Sequence, residues 1–433
     1  MITAPTYQGK TVAVFGLART GLAAVETLVA SGATVWAWDD DMERVKAVGA
    51  VAKNLYDADF TCLDALMLAP GVPLTHPSPH SLVTKAKANH VPIIGDLDIF
   101  QAARATLPKH HVVAITGTNG KSTTSALVTH ILKSAGRPVA LGGNIGTGVL
   151  SLSALPKGGI YVFEVSSFQI DLMVDFKPDI AALLNITPDH LDRHGTMEAY
   201  VLAKKRLFDL MGAKGRAVIA QNDAYTKDIA VSVDATLVAL PSALDMADCP
   251  TLNGAHNAQN AKVAYAIAAS LGLSDADIVA GLKSFPGLVH RQQHLATIDG
   301  VLYVNDSKAT NVDAAATALS SFKNIHWIAG GRSKEKGLQG IFPYLTGVKH
   351  AYLIGEAAAD FSENLMGKIA FDMCGTLDNA LMKARKNAKQ GDVILLSPAC
   401  SAFDQFQNFE VRGDHFISLV KQLMKGEVHH VAV

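Results

Sequence analysis

Residues 112–132 read VVAITGTNGKSTTSALVTHIL, and this stretch decides the fold of the middle of the chain. An apolar run leads into a turn that contains Gly117 and Gly120, and a helical pattern follows. Backbone N–H groups of such a turn, at the N-terminus of a helix, bind phosphate because unpaired donors meet the positive end of the helix dipole. Lys121 adds a full positive charge. The pattern therefore predicts a phosphate-binding loop between a strand and a helix.

The loop differs from the common GxxxxGK[ST] spacing, because Ile115 stands where the first glycine is expected. The shorter form here is GTNGKST, in which Ser122 or Thr123 can place a hydroxyl on Mg²⁺. An ordinary strand–helix turn that happens to contain a lysine is the alternative. Strand, glycines, lysine, hydroxyls and helix in this order favour nucleotide binding.

Length, composition and charge narrow the class of protein. The chain has 433 residues, too many for one hydrophobic core, so two or three domains are expected. A formal net charge of −1 gives no electrostatic case for nucleic acid or an anionic membrane. We expect no membrane insertion, because no apolar run reaches the roughly 18 residues a span needs. The four cysteines form no CxxC pair, so neither a disulfide framework nor a zinc site is indicated.

Short apolar runs alternate with helical patterns along almost the whole chain, which indicates parallel sheets flanked by helices. We predict an α/β protein of three domains. They are a Rossmann-like N-terminal domain over residues 1–104, a central P-loop ATPase-like domain over residues 105–288 and a Rossmann-like C-terminal domain over residues 289–433. Pro286 and Gly287 form a plausible hinge before the last domain.

The N-terminal turn GLARTG, residues 16–21, has two of the three glycines of a dinucleotide fingerprint. Ala18 replaces the glycine that lets the backbone approach a pyrophosphate, which weakens an NAD-binding interpretation. Asp39 follows the second strand, where an acidic residue would bind a ribose. A nicotinamide-dependent oxidoreductase is one alternative, and a purely structural turn is another. A Rossmann-like fold that holds some other nucleotide is favoured.

Acidic residues and a histidine follow two further strands. Glu164 ends the apolar run YVFE, and Asp189, His190 and Asp192 lie just past IAALLNIT. Such groups at neighbouring strand ends, beside a triphosphate, can complete the oxygen-rich shell of Mg²⁺. By itself DHLDR is typical of a capped helix start with surface charges. Together with the glycine loop, the metal interpretation is favoured.

The motifs GTNGKST, GGNIG, EVSSFQ and NITPDHLDRHG, in this order and spacing, resemble the central domain of the muramyl ligases. The resemblance continues through LNGAHNAQN, YVNDSKATN and LSPACSAFDQFQNFEVRG and covers nearly the whole chain. EVSSFQ and the C-terminal motif are typical of the branch that joins D-glutamate to UDP-N-acetylmuramoyl-L-alanine. The resemblance implies an ATP-dependent ligase of peptidoglycan precursor synthesis that works through an acyl phosphate. It also implies a cytoplasmic enzyme, which we expect to be a monomer. A nucleotide-gated binding protein without catalysis and a related ligase for another amino acid are the remaining alternatives.

The resemblance assigns roles to individual residues, with Lys121, Glu164, His190 and Lys204 as the catalytic group. The implied ATP contacts are Gly117, Thr118, Asn119, Gly120, Lys121, Ser122, Thr123, Asn257, Asn260, Arg291 and Asp306. The implied contacts to the UDP-linked substrate are Thr20, Asp39, Asn144 and His190. The implied contacts to D-glutamate are Lys308, Thr310, Lys334 and Phe409. Of two implied Mg²⁺ ions, one is held by Ser122 and Glu164, the other by His190 and a carbamylated Lys204.

Three assignments leave alternatives open, one of which is Lys334, since Lys336 in the same charge-rich GGRSKEKG loop could take its role. By its own pattern Lys204 is an ordinary exposed helix lysine, and the adjacent Lys205 could take its place. A serine that contacts D-glutamate in the family aligns with Ala402, with Ser401 one position away.

Overall fold

The computed structural model describes residues 2–235, 240–241, 244–252, 254–333 and 337–425. Within these ranges, strands alternate with helices along the chain and form three sheets, so the α/β prediction is confirmed. No helix in the described ranges is long and apolar enough to cross a membrane.

The first sheet is parallel, with strand order β2-β1-β3-β4. Its strands are β1 (Thr11–Phe15), β2 (Thr34–Trp38), β3 (Ala65–Leu68) and β4 (Ile93–Ile94). The helices of this part are α1 (Arg19–Ala30), α2 (Met42–Ala47), α3 (Ser81–Ala88) and α4 (Asp96–Ala103). The order reverses at β1, and α/β sheets bind ligands outside the carboxyl ends of the strands at such a point.

The second sheet is also parallel, with strand order β6-β7-β5-β8-β9. Its strands are β5 (His110–Thr116), β6 (Val139–Gly143), β7 (Gly159–Glu164), β8 (Ile180–Leu183) and β9 (Arg216–Ile219). Its helices are α5 (Lys121–Ser134), α6 (Ser167–Leu172), α7 (Leu191–His194), α8 (Met197–Asp209), α9 (Ala224–Ser232), α10 (Ala255–Ser270) and α11 (Asp275–Lys283). Every residue of β7 and β8 is buried, as expected for parallel strands covered on both faces. The order reverses at β5, which runs directly into the glycine loop.

The third sheet is mixed, with strand order β10-β11-β15-β12-β13-β14. Its strands are β10 (Gln293–Ile298), β11 (Val301–Asn305), β12 (Ile325–Gly330), β13 (Val348–Ile354), β14 (Phe371–Gly375) and β15 (Val393–Leu396). Its helices are α12 (Val312–Ser321), α13 (Ala358–Leu365), α14 (Leu377–Asn387) and α15 (Phe409–Lys425).

The sequence interpretation missed β6, β14 and the antiparallel edge strand β10. Asp299 and Gly300 join β10 to β11, and both have positive φ, at 53° and 76°. This is the two-residue Asp-Gly turn that favours hairpins, a signal that was present in the sequence. The sequence from Asn260 to Phe285 has one continuous helical pattern, which predicts a single helix. The structure has two helices there, because Gly272 adopts φ 82° between α10 and α11.

The chain divides into two compact units. One contains residues 1–249 and 255–285, with the first two sheets, and the other contains 250–254 and 286–433, with the third. The division after Phe285 lies three residues before the expected boundary at 288/289. The boundary at 104/105 and the hinge stay predictions.

Candidate active site

The glycine loop lies at the centre of the second sheet, between the carboxyl ends of β7 and β8. β5 pairs with β7 on one side and β8 on the other, so residues after all three strands converge at one edge. Gly117 and Gly120 have φ of 153° and 82°, and Gly120 is the N-cap of α5. The N–H groups of the first turn of α5 have no partner within the helix.

The segment after β8 holds this loop in shape. The Asn119 amide donates to Asn185 Oδ1 at 2.8 Å, and Asn185 Nδ2 donates to the Asn119 carbonyl at 3.1 Å. The Thr118 amide donates to the Asn185 carbonyl at 2.9 Å, and Thr118 Oγ1 accepts from the Thr187 amide at 3.1 Å. The Tyr200 hydroxyl lies 3.1 Å from the same Oγ1. Sequence reasoning assigned no role to Asn185, Thr187 or Tyr200, although Asn185 and Thr187 belong to the quoted NITPDH motif.

Asn260, from α10, lies against the loop at Gly120. A side chain built on Gly120 would place its Cβ 2.4 Å from Asn260 Oδ1. Asn260 is buried and donates from Nδ2 to Asn257 Oδ1 at 3.2 Å. The structure thus brings both predicted adenine contacts next to the loop.

We expect Gly120→Ala to weaken ATP binding at least about tenfold, because Asn260 must move and lose its bond to Asn257. Gly136→Ala is the matched control, since Gly136 follows α5, also has positive φ (70°) and has no atom within 4 Å of a built Cβ. Both variants carry the strain of a left-handed alanine, about 1–2 kcal/mol. Titration with a fluorescent ATP analogue and thermal unfolding separate the two effects. Equal loss of nucleotide affinity in both would contradict the steric explanation.

Two lysines converge on the carbonyl of Gly117. Lys121 Nζ donates to it at 2.9 Å and to the Thr118 carbonyl at 2.7 Å. Lys204 Nζ, from α8, donates to the same Gly117 carbonyl at 3.0 Å. Two cationic groups therefore share one oxygen beneath the phosphate loop.

Lys204 is not the exposed helix lysine that its local pattern suggests. Its side chain is 1% exposed, whereas Lys205 points outward and pairs with Asp209 at 2.8 Å. This difference in direction favours Lys204 over Lys205 as the residue that faces the site. Burial, and next the charge of Lys121, lower the pKa of Lys204 to about 7, while Asp189 and Asp171 oppose the shift. The neutral amine is therefore far more populated near neutral pH than in an ordinary lysine.

Glu164 ends β7 inside the protein, at 2% exposure. Its Oε1 accepts from Asn144 Nδ2 at 2.8 Å, and its buried Oε2 has no hydrogen-bond partner among the described residues. An unpaired buried carboxylate oxygen is costly unless something else binds it. Ser122 lies in the first turn of α5, which follows the neighbouring strand β5, and it is also buried. An orphaned carboxylate oxygen and a hydroxyl at one sheet edge are donors that suit Mg²⁺.

His190 is placed differently from Glu164. It is half-exposed, adopts φ 52°, lies 3.4 Å from Asp189 Oδ2 and packs its ring against Phe168 with centroids 4.8 Å apart. The described ranges contain no cluster of three or more His, Cys, Asp or Glu side chains arranged for a metal. With Lys204 as an unmodified amine, the residues predicted for the second Mg²⁺ do not fit a cation. The fit requires the carbamate.

Two titratable side chains, His194 and Asp171, lie close together near this edge of the second sheet. His194 Nε2 lies 2.9 Å from Ser167 Oγ, and its Nδ1 lies 3.6 Å from Asp171 Oδ2. Burial raises the pKa of Asp171 to about 6, and burial lowers that of His194 to about 4. Sequence reasoning missed Asp171, because nothing in the local pattern tells an inward carboxylate from a surface one.

A cavity of about 630 Å³ opens at the carboxyl edge of the first sheet. Thr20, Asp39 and Asn144 line it, so three of the four residues predicted for the UDP-linked substrate lie together. His190 is not among the described residues that line it. Asn144 contributes to the cavity wall and also donates to Glu164 at the end of β7.

The Asp39 carboxylate, predicted to contact the UDP-linked substrate, accepts hydrogen bonds from two backbone amides, one of them in the GLARTG turn. Its Oδ2 accepts from the Leu17 amide at 2.5 Å, and its Oδ1 accepts from the Asp41 amide at 2.8 Å. Burial acts to raise the pKa of Asp39, but these two N–H donors and Arg44 hold it below its usual value. The carboxylate thus shapes the GLARTG turn and keeps its charge at the cavity wall.

In the second unit, Arg291 and Asp306 lie near each other. Asp306 is buried and accepts from the Gln292 amide at 3.1 Å and from Ser397 Oγ at 2.8 Å. Burial raises the pKa of Asp306 to about 7, against the opposing charge of Arg291. His290 and Gln292, on either side of Arg291, both have positive φ, at 62° and 42°. Such strained residues are often found at functional sites.

The predicted D-glutamate contacts also belong to this unit. Lys308 and Thr310 follow β11, and Lys308 Nζ lies 5.7 Å from the centre of the Phe409 ring. Lys334 and its neighbour Lys336 lie outside the described residues. Ser401, one position before Ala402, is buried, and its hydroxyl donates to the Arg332 carbonyl at 2.8 Å.

Two family models match the chain. The Mur ligase middle domain matches residues 115–240, which contain the glycine loop, and the Mur ligase glutamate ligase domain matches residues 290–400. A UDP-N-acetylmuramoylalanine–D-glutamate ligase of Sphingopyxis alaskensis is 46% identical over 98% of this chain and 100% of its own length. The same-named protein of Agrobacterium fabrum is 44% identical over 98% and 97%.

Solved structures agree in fold. The UDP-N-acetylmuramate-alanine ligase of Thermotoga maritima has a TM-score of 0.57 at 18% identity, over 96% of this chain and 99% of that one. The UDP-N-acetylmuramoylalanyl-D-glutamyl-2,6-diaminopimelate–D-alanyl-D-alanyl ligase of Acinetobacter baumannii has a TM-score of 0.56 at 19% identity, over 80% and 87%.

The three sheets and the lysine-bearing glycine loop are those of a nucleotide-dependent ligase, and the chain belongs to the Mur ligase family. As a member it is an ATP-dependent ligase of peptidoglycan precursor synthesis. Within the family, its full-length relatives at 43–46% identity carry the D-glutamate ligase name.

Proposed function

We propose that this enzyme joins the amine of D-glutamate to the terminal carboxylate of UDP-N-acetylmuramoyl-L-alanine, with ATP as the energy source. The observation that carries the choice of substrates is the 46% identity to a ligase of that name over essentially the whole of both chains. The oxidoreductase alternative finds no support in the family match, and a binding protein without catalysis is excluded by membership in an enzyme family.

The reaction proceeds in two balanced steps. An oxygen of the substrate carboxylate attacks the γ-phosphorus of ATP, the bond to the β-phosphate oxygen breaks, and ADP leaves. The amine of D-glutamate then attacks the acyl carbon, phosphate leaves, and the amine loses a proton. Phosphoryl transfer depends mainly on positioning and on stabilising negative charge.

The loop residues supply that positioning. We assign the β- and γ-phosphates to the loop of residues 117–123 and to Lys121, whose Nζ would turn from its carbonyl partners toward phosphate oxygens. The Asn185 and Thr187 contacts keep this loop preorganised. Asn257 and Asn260 are assigned to the base, and Arg291 and Asp306 to the ribose and phosphates.

We assign one Mg²⁺ to Ser122 and Glu164, supported by the orphaned Oε2 of Glu164. A bound Mg²⁺ offsets charge on the transferring phosphoryl group. We further propose that Lys204 is carbamylated, in which its neutral amine adds to CO₂ and a proton is released. The carbamate would supply the oxygens that, with His190, a second Mg²⁺ needs. Thr20, Asp39, Asn144 and His190 are assigned to the UDP-linked substrate, and Lys308, Thr310, Lys334 and Phe409 to D-glutamate. We also propose that the enzyme acts in the cytoplasm as a monomer.

An amino-acid panel in a phosphate-release assay tests the substrate assignment. With ATP, magnesium and UDP-N-acetylmuramoyl-L-alanine present, we expect D-glutamate alone to trigger stoichiometric ADP and phosphate release. L-glutamate, D-glutamine, L-lysine and meso-diaminopimelate are the comparison amino acids. Release triggered by another amino acid at a higher kcat/KM would assign the chain to a different ligase of the family.

A further inference from the structure

Arg412, in the first turns of α15, is a buried cation that none of the assignments above uses. Its side chain is 1% exposed, and no salt bridge joins it within the described residues. Burial lowers the pKa of Arg412 to about 10, so the group stays charged at neutral pH. A charge kept inside a protein without a carboxylate in contact is costly, so its presence calls for an explanation.

The guanidinium joins three segments at the carboxyl edge of the third sheet. Nε donates to Ser307 Oγ at 2.9 Å, and Nη2 donates to the Ser307 carbonyl at 2.8 Å. Nη2 also donates to the Cys400 carbonyl at 3.0 Å. Ser307 Oγ in turn donates to the Phe409 carbonyl at 2.8 Å. One side chain thus ties together the turns after β11 and β15 and the start of α15.

A fourth segment packs on the remaining nitrogen. Nη1 has no hydrogen-bond partner among the described residues and lies 3.2 Å from where a Cβ on Gly331 would be. Gly331 has φ 132°, and such a Cβ would also lie 2.4 Å from the Ser401 carbonyl oxygen. The turn after β12 can therefore approach the guanidinium only because residue 331 is a glycine.

Three of these four segments carry a position that the family resemblance relates to D-glutamate. Lys308 follows Ser307, Ala402 follows Cys400 by two residues, and Phe409 begins α15.

We infer that Arg412 is a positioning residue that organises the amino-acid subsite, and that its unpaired charge favours an amino acid with a second carboxylate. The inference deepens the proposed function and rests on it. Coulomb attraction falls only with the inverse of distance and is weakly screened inside a protein, so a buried cation acts on a carboxylate that it does not touch. Asp404 is the carboxylate that interacts with this charge at longer range.

Arg412→Met, Arg412→Lys and Ser307→Ala separate positioning from charge. For Arg412→Met we expect the KM for D-glutamate to rise about thirtyfold and the preference for D-glutamate over D-glutamine to fall about tenfold. Arg412→Lys keeps the charge, so it should recover most of the preference while KM stays roughly fivefold raised. Ser307→Ala loosens the same segments with the charge intact and should raise KM roughly fivefold without changing the preference. The KM for ATP should stay within about twofold of the wild-type value in all three.

Lys349→Met is the matched control in the same unit. Lys349 pairs with the buried Asp392 at 2.5 Å, near the starts of β13 and β15 and so at the opposite edge of the sheet. It should lower stability without moving the KM for D-glutamate. An unchanged KM and preference in folded Arg412→Met, or an equal rise in the KM for ATP, would overturn the inference. Should Arg412→Met not fold, Arg412→Gln, which also lacks the charge, takes its place, and the same two outcomes would overturn the inference. A wild-type enzyme without D-glutamate-dependent phosphate release would instead overturn the proposed function itself.

Discussion

Lys121→Ala is expected to lower ligation at least about 10³-fold. A carboxylate that approaches the γ-phosphate meets like charge, and at an effective dielectric near 20 each pair of unit charges 4 Å apart costs about 4 kcal/mol. An energy of that size equals roughly three powers of ten in rate. Lys121 Nζ lies 2.9 Å from the Gly117 carbonyl oxygen, at the loop where that charge must be offset. Phosphate release dependent on both the UDP-linked substrate and D-glutamate measures the loss.

Lys133→Ala is the control for this variant, because Lys133 lies in the last turn of the same helix and is exposed. It removes the same charge from the chain without touching the loop. Circular dichroism and thermal unfolding should show that both variants fold. Near-wild-type turnover in Lys121→Ala would rule out the assigned role of this lysine, whatever the substrates.

Lys204→Ala is expected to lower activity roughly 10³-fold, comparable to the loss of a preorganised charged group in other active sites. The reason is the position of Lys204, buried and 3.0 Å from the Gly117 carbonyl oxygen. Lys205→Ala is the matched control, since the adjacent lysine is partly exposed and paired with Asp209. It should stay within about twofold of the wild-type rate.

The carbamylation proposal predicts a dependence on pH and on CO₂. Burial and the charge of Lys121 lower the pKa of Lys204 to about 7, so its amine is mostly charged below pH 7 and mostly neutral above it. Only the neutral amine adds to CO₂. Enzyme depleted of CO₂ should therefore recover activity on addition of bicarbonate faster and more fully at pH 8 than at pH 6.

Labelling with ¹³C-bicarbonate provides the direct measurement. We expect a ¹³C carbamate resonance in the wild type and in Lys205→Ala, and its absence in Lys204→Ala. Full activity at pH 8 after CO₂ removal, without any such resonance, would contradict carbamylation. The Lys204→Ala variant would still test whether the amine itself is needed.

Much of the fold and of the phosphate site could be predicted from local pattern. The strand, the glycine loop with its lysine and the helix could be predicted because the residues that form them are adjacent in the sequence. Glu164 was predicted to lie at the end of a strand because it ends an apolar run, and it does end β7, where parallel sheets expose functional groups. The hairpin at Asp299 and Gly300 was equally local, and it was missed although its turn signal was present.

Other features are decided by contacts between residues far apart in the chain. The local pattern predicts that Lys204 is a surface lysine. In the structure it is buried and donates a hydrogen bond to the carbonyl of Gly117, 87 residues earlier in the chain. Arg412 similarly binds Ser307, 105 residues before it. No periodicity encodes such pairs, because burial and pKa depend on which groups the folded chain brings together. The sequence alone thus determined the α/β class and the phosphate loop, and the tertiary structure decided which charged side chains lie inside and what they contact.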